Sequence, residues 1–184
     1  IILFISFLFL YNAKPLITGE IQTLFVEREI PFDYILLKDQ ILNHDNYFRT
    51  LWIPSYSRWG IYNNKHPKVS TVNLIQNELK DFLDYEIKGY NWPIGQQIVY
   101  ILNQPYSNNL IDTASIKYVI IPLNDTKNDD DFFIYYGEHK FFENELDKIP
   151  YLQKTNLNLK EVIVYENKNY YPHIHAPNNI YLAK

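Results

Sequence analysis

The chain has 184 residues, 47% of them hydrophobic and 21% charged, a balance that excludes wholesale disorder. Its net charge of −4, with no concentration of Lys and Arg, excludes a nucleic-acid partner held by phosphate neutralisation. Cysteine is absent, which excludes disulfides, thiolate zinc sites and a cysteine nucleophile. Mean hydropathy is −0.29 and one long apolar run exists, so these residues do not themselves hold many membrane spans.

That run is Ile1 to Tyr11, broken only by Ser6. As helix it covers about 16 Å, roughly half of a ~30 Å hydrocarbon core. The sequence contains no Met, so the chain is expected to be part of a longer or processed product, with the rest of a span upstream. Two other readings stand beside the end of a transmembrane helix. A signal-peptide core suffers from the poor cleavage site at Tyr11-Asn12-Ala13, and a buried core helix suffers from the lack of a polar face. Basic residues are sparse just downstream, which favours an extracytoplasmic domain anchored at the cell membrane, with the bilayer as partner. The expected organisation is a helix end at 1–13, a connector at 14–30 with a short strand at Thr23–Val26, and an extracytoplasmic mixed α/β domain at 31–184.

Pro31 opens a helix whose stripe is Ile30, Tyr34, Leu37 and Ile41, and Asn43 to Asn46 stop it. Tyr47–Ile53 reads as a strand ending at Pro54, and 55–70 as a long loop. A second helix is expected from the Asn73/Gln76 capping pair to Gly89, followed by a turn at Asn91-Trp92-Pro93. Short helices follow at Gln96–Asn103 and from Ser107 or Asn108 to Ala114. Lys117–Pro122, apolar on both faces, reads as a central strand. Asn124–Asp131 reads as a solvated acidic turn and Glu138–Ile149 as a helix. Glu161–Glu166 and an extended segment around Tyr171–His175 and Ile180–Leu182 close the chain. The fold class is mixed α+β: a small mixed sheet of four or five short strands with about three helices, after the end of a membrane helix.

Candidate binding residues come from the loop and the strand before it. Tyr56, Arg58 and Trp59 place a planar cation between two aromatics, a set able to stack on a sugar and hold a phosphate. Arg49 offers the same guanidinium fork, or braces a helix, and His66 is a proton donor or a plain loop histidine. Trp59 alternatively plugs the edge of the core. His173 and His175 share a strand face but lack a third zinc ligand. Asp129-Asp130-Asp131 lacks the alternation of a calcium loop. No metal or cofactor is expected. No phosphate-cradling glycine motif or serine elbow occurs, and the 21 acids show no spacing that marks a catalytic pair.

The elements Arg49-Thr50-Leu51-Trp52-Ile53-Pro54, Ile116-Lys117-Tyr118-Val119-Ile120-Ile121-Pro122 and Val164-Tyr165-Glu166-Asn167 with Pro172 follow an apolar helix end. In that order they resemble the C-terminal extracytoplasmic region of bacterial YfhO-type and GT-C glycosyltransferase-like polytopic membrane proteins. The resemblance implies an accessory domain in surface-glycan assembly from polyprenyl-phosphate-linked sugars. It also implies that the family's catalytic carboxylate lies in an early loop with no counterpart here, so this segment lacks the base. The alternative is a membrane-anchored, non-enzymatic domain that binds glycan or protein.

Overall fold

The computed structural model describes residues 2–18, 28–72, 74 and 94–172. Helix α1 (Ile2–Thr18) leads to α2 (Phe32–Leu42), β1 (Arg49–Trp52), β2 (Lys68–Ser70), α3 (Ile94–Leu102) and α4 (Ser107–Thr113). Strand β3 (Ile116–Ile121) follows, then α5 (Phe133–Tyr136), α6 (His139–Leu146), β4 (Gln153–Lys154) and β5 (Ile163–Glu166). The five strands form one mixed, open sheet in the order β2-β1-β3-β5-β4. β1 is parallel to both β2 and β3, whereas β5 is antiparallel to β3 and β4.

The sheet is central because both of its faces are apolar. Leu51, Ile53, Val119 and Ile121 point to one side and join Ile98, Val99, Ile111, Phe142 and Leu146 of α3, α4 and α6. Phe48, Trp52, Tyr118 and Ile120 point to the other and join Tyr34, Leu37 and Ile41 of α2. Alternate residues of a strand face opposite ways, so this two-sided burial produces three layers. Each such side chain removed from water contributes about 2 kcal/mol. Every residue of β3 is buried, as expected of a central strand.

Several elements differ from their sequence expectations. The helical backbone of α1 continues past residue 13 into the expected connector. Among the described residues no helix is long and apolar enough to cross a membrane. The stretch 55–70 is not wholly loop: its end is β2, paired to β1 with Thr50 opposite Lys68. Parallel neighbours need a crossover of a dozen or more residues, and 53–67 is that crossover. The described residues hold six helices: the two expected short helices are α3 and α4, and the single turn α5 is the one that the sequence did not mark. Helix α6 stops at Leu146, and a turn carries Ile149 into the core. Gly137 between α5 and α6 has φ +115, and a Cβ there would strike the side chain of Gln96. Residues 71, 72 and 74 are helical. The strand at Thr23–Val26, the remainder of the helix to Gly89, the turn at Asn91, and the terminal segment from 173 on, with its two histidines, lie outside the described residues.

Two buried polar groups fix the loops around this frame. Asp33, at the first turn of α2, accepts hydrogen bonds from the backbone N–H groups of Lys160, Glu161 and Val162 at 2.8–3.1 Å. Asn167, fully buried after β5, donates to Asp112 Oδ1 (2.7 Å) and to the Ile116 carbonyl (3.1 Å). Both replace water at buried backbone or carboxylate groups, without which those groups would be stranded.

Candidate functional site

In open sheets containing parallel strands, ligands collect beyond the carboxyl ends of strands where the chain departs in opposite directions. Here that place is the end of β1, whose neighbours β2 and β3 lie on opposite sides. The chain fills it with its own loops. Ser57 donates its hydroxyl proton to the buried Asp130 carboxylate, which also accepts from the Arg58 backbone N–H (3.2 Å) and Nε (3.5 Å). Arg58 Nη2 donates to the Asp129 carbonyl at 2.6 Å. Trp59 N–H donates to Ser57 Oγ (3.0 Å) and Gly60 N–H to the Ser57 carbonyl (2.8 Å). A Cβ on Gly60 would lie 2.8 Å from that carbonyl oxygen, so the turn requires glycine.

Tyr56, Arg58 and Trp59 are therefore together, but in a closed arrangement. The Arg58 guanidinium is committed to the 129–130 turn. Trp59 packs against the α2-side core, with its Nε1 buried and unpartnered. Tyr56 stacks under the Lys68 ammonium, 4.0 Å from its ring centroid, and Tyr62 lies 4.6 Å from the same ammonium. Burial lowers the Lys68 pKa. The expected solvated acidic turn is corrected as well: Asp125, Asn128 and Asp130 are buried, because they bond to one another and to the loop after β1. Burial holds the Tyr34 hydroxyl beside them well above its ordinary pKa.

Arg49 and His66 sit at the other end of β1, a strand of four residues and about 13 Å. Arg49 donates to Tyr47 Oη (3.1 Å) and to the Ala114 carbonyl (3.3 Å), closing the C-terminal end of α4. His66 is buried, stacked on Phe48 at 4.1 Å, with Nε2 3.1 Å from the His44 carbonyl. Burial lowers its pKa. Beside it lies a cluster that sequence reasoning missed. Lys117 Nζ is 3.4 Å from the His44 ring and 3.9 Å from Glu166, and it faces Phe48, Tyr118 and Tyr170. Burial lowers the Lys117 and His44 pKa values and pushes Tyr118 up to about 12. Nothing marked His44 in the sequence, where it reads as part of a helix stop.

The open concave surface lies elsewhere, at the β4–β5 end of the sheet. A cavity of about 810 Å³ is lined by Asn124, His139, Lys140, Glu143, Lys154 and Lys160, together with the 155–164 chain. Glu143 accepts from Lys140 and Lys154, each at 2.6 Å, and these bonds hold its carboxyl down to about 2. It is ionised across the physiological range and cannot serve as a proton donor there. A second cavity of about 420 Å³, between the start of α2 and the 123–128 turn, shares Asn124, Lys160 and Glu161 with the first. Among the described residues no group of three or more His, Asp or Glu side chains is arranged to hold a metal ion. The chain matches no protein-family model, no curated protein and no solved structure.

Proposed function

We propose that this chain is an extracytoplasmic accessory domain of a polytopic membrane protein of the GT-C or YfhO-like glycosyltransferase kind, acting beside a membrane-embedded catalytic core in surface-glycan assembly. The observation that carries the reading is α1. From Phe4 to Tyr11 its large apolar side chains are 43–75% exposed, and at 100° per residue they occupy every side of the helix. A helix apolar all round needs an apolar environment, and lipid supplies one. Tyr11 then stands at the interface and the α/β domain outside it. In this reading the segment supplies no catalytic base. Asp33, Asp130 and Glu143 are each committed to donors within the fold.

The second reading is a membrane-anchored, non-enzymatic module binding glycan or protein. The closed loops beyond β1 favour it, since they occupy the place where a substrate would otherwise bind. Flotation of the whole chain with phosphatidylethanolamine/phosphatidylglycerol vesicles tests the anchor shared by both readings. The chain is expected to float, and Phe7→Arg with Leu10→Arg is expected to abolish flotation. A wild-type chain that stays in the aqueous fraction overturns the membrane assignment. Upstream coding sequence with many spans favours the first reading, and a single span favours the second.

A further inference from the structure

We propose that the two adjoining cavities at the β4–β5 end form one groove that takes a linear neutral oligosaccharide. The two cavities adjoin, since Asn124, Lys160 and Glu161 line both. Its charges nearly balance: Lys127, Lys140, Lys154 and Lys160 stand against Glu29, Asp33, Asp125, Glu143 and Glu161, with Lys140 and Lys154 bonded to Glu143 and Lys127 to Glu29 at 3.3 Å. A highly charged ligand therefore finds no surplus of opposite charge larger than one over the two cavities. The same groups nevertheless keep spare hydrogen-bonding capacity, since an ammonium has three donors and a carboxylate about four acceptor positions. Sugar hydroxyls both donate and accept, so they suit a wall of alternating ammonium, carboxylate and amide groups.

Two unsatisfied atoms add to this. Asn128 is 4% exposed, lines the smaller cavity, and leaves its Oδ1 without a partner. His139 lines the larger cavity, and its buried Nε2 is also without one. Buried polar atoms in native folds are normally paired, and a ligand hydroxyl is a fitting donor to Asn128 Oδ1. The apolar contribution is modest and suited to the C–H face of a sugar ring: Phe32 is exposed at the smaller cavity, and Leu157 and Leu159 are half-buried at the larger. A peptide is a poorer fit, because β4 is two residues long and offers little backbone for pairing.

The ligand class deepens the surface-glycan reading and rests on it. The test is amide NMR of the full chain in detergent micelles. It is titrated with linear hexasaccharides of glucose, mannose and N-acetylglucosamine, and with hexagalacturonate and a Ser/Thr hexapeptide. At least one neutral hexasaccharide is expected to move the amides of Asn124, Asn128, Asn156 and Lys160. Asn156→Ala and Lys160→Ala, whose side chains are exposed, are expected to weaken that binding by about tenfold. Lys148→Ala, outside the groove, leaves it unchanged. Movement with hexagalacturonate or peptide alone, movement confined to 56–62, or no movement with any probe overturns the assignment. Vesicle flotation is read separately: lost sugar binding with intact flotation removes the groove, and the reverse outcome removes the membrane anchor.

Discussion

The loops beyond β1 and the groove beside β4 contain similar side chains, Asp, Asn, Lys or Arg with aromatics close by, yet they do opposite things. Beyond β1 the polar groups find partners within the chain, Trp59 Nε1 and Asn128 Oδ1 excepted, and the space is closed. Beside β4 the charged groups pair along the walls and leave a space between them. Side-chain type does not separate a binding surface from an internal clasp; the separating property is whether donors and acceptors are used up by neighbours distant in sequence.

The sharpest way to break this comparison is to open the clasp. Asp130→Ala strands the Ser57 hydroxyl and the Arg58 donors and is expected to cost about 4 kcal/mol, measured by urea unfolding. A cost below 1 kcal/mol would mean that the clasp holds nothing. Asp33→Asn, between the clasp and the groove, removes the charge that gathers three N–H groups and is expected to cost about 2 kcal/mol in the same assay.

Acid separates the regions next. His66 has a folded pKa below its unfolded 6.5, so the unfolded chain binds more protons in that window. Stability is therefore full above pH 6.5 and falls as pH drops below it. His66→Phe is expected to shrink the difference between unfolding midpoints at pH 7.5 and 5, whereas an unchanged difference would place the protonation elsewhere. Glu143 acts lower. Its folded pKa is depressed to about 2, so its contribution is present above about 4.5 and is lost as pH falls from there towards 2. Glu143→Gln should flatten the unfolding profile in that acid range alone. The smallest effect is expected at Lys160→Ala, within about 0.5 kcal/mol, because its backbone N–H rather than its ammonium bonds Asp33.

Long periodic elements were readable in advance. Tyr34, Leu37 and Ile41 repeat at helical spacing and are all buried on α2, although Ile30, counted in the same stripe, is exposed because it precedes the helix. The Lys117–Pro122 run was legible because apolar residues on both faces fit only a covered strand. β2 was not, since Lys-Val-Ser carries no alternation and becomes a strand only because the edge of β1 supplies its partner. β4 and α5 are too short to show a period. Asp130 was hidden in a run of three acids that reads as solvated. Ser57, 73 positions away, is what buries it. Arg58 and Trp59 were singled out for their chemistry, but sequence spacing carried no information that Asp130 and the core would claim them first.

The sheet's outer strands bear on a different property. Among the described residues β2 has three residues and β4 two, so the backbone groups that these edge strands leave unpaired are few. Long, flat, apolar flanks are where folded domains recruit one another into fibres. Such truncated margins make the domain self-limiting, and any change that extends β4 would carry a risk of polymerisation out of proportion to its effect on the fold.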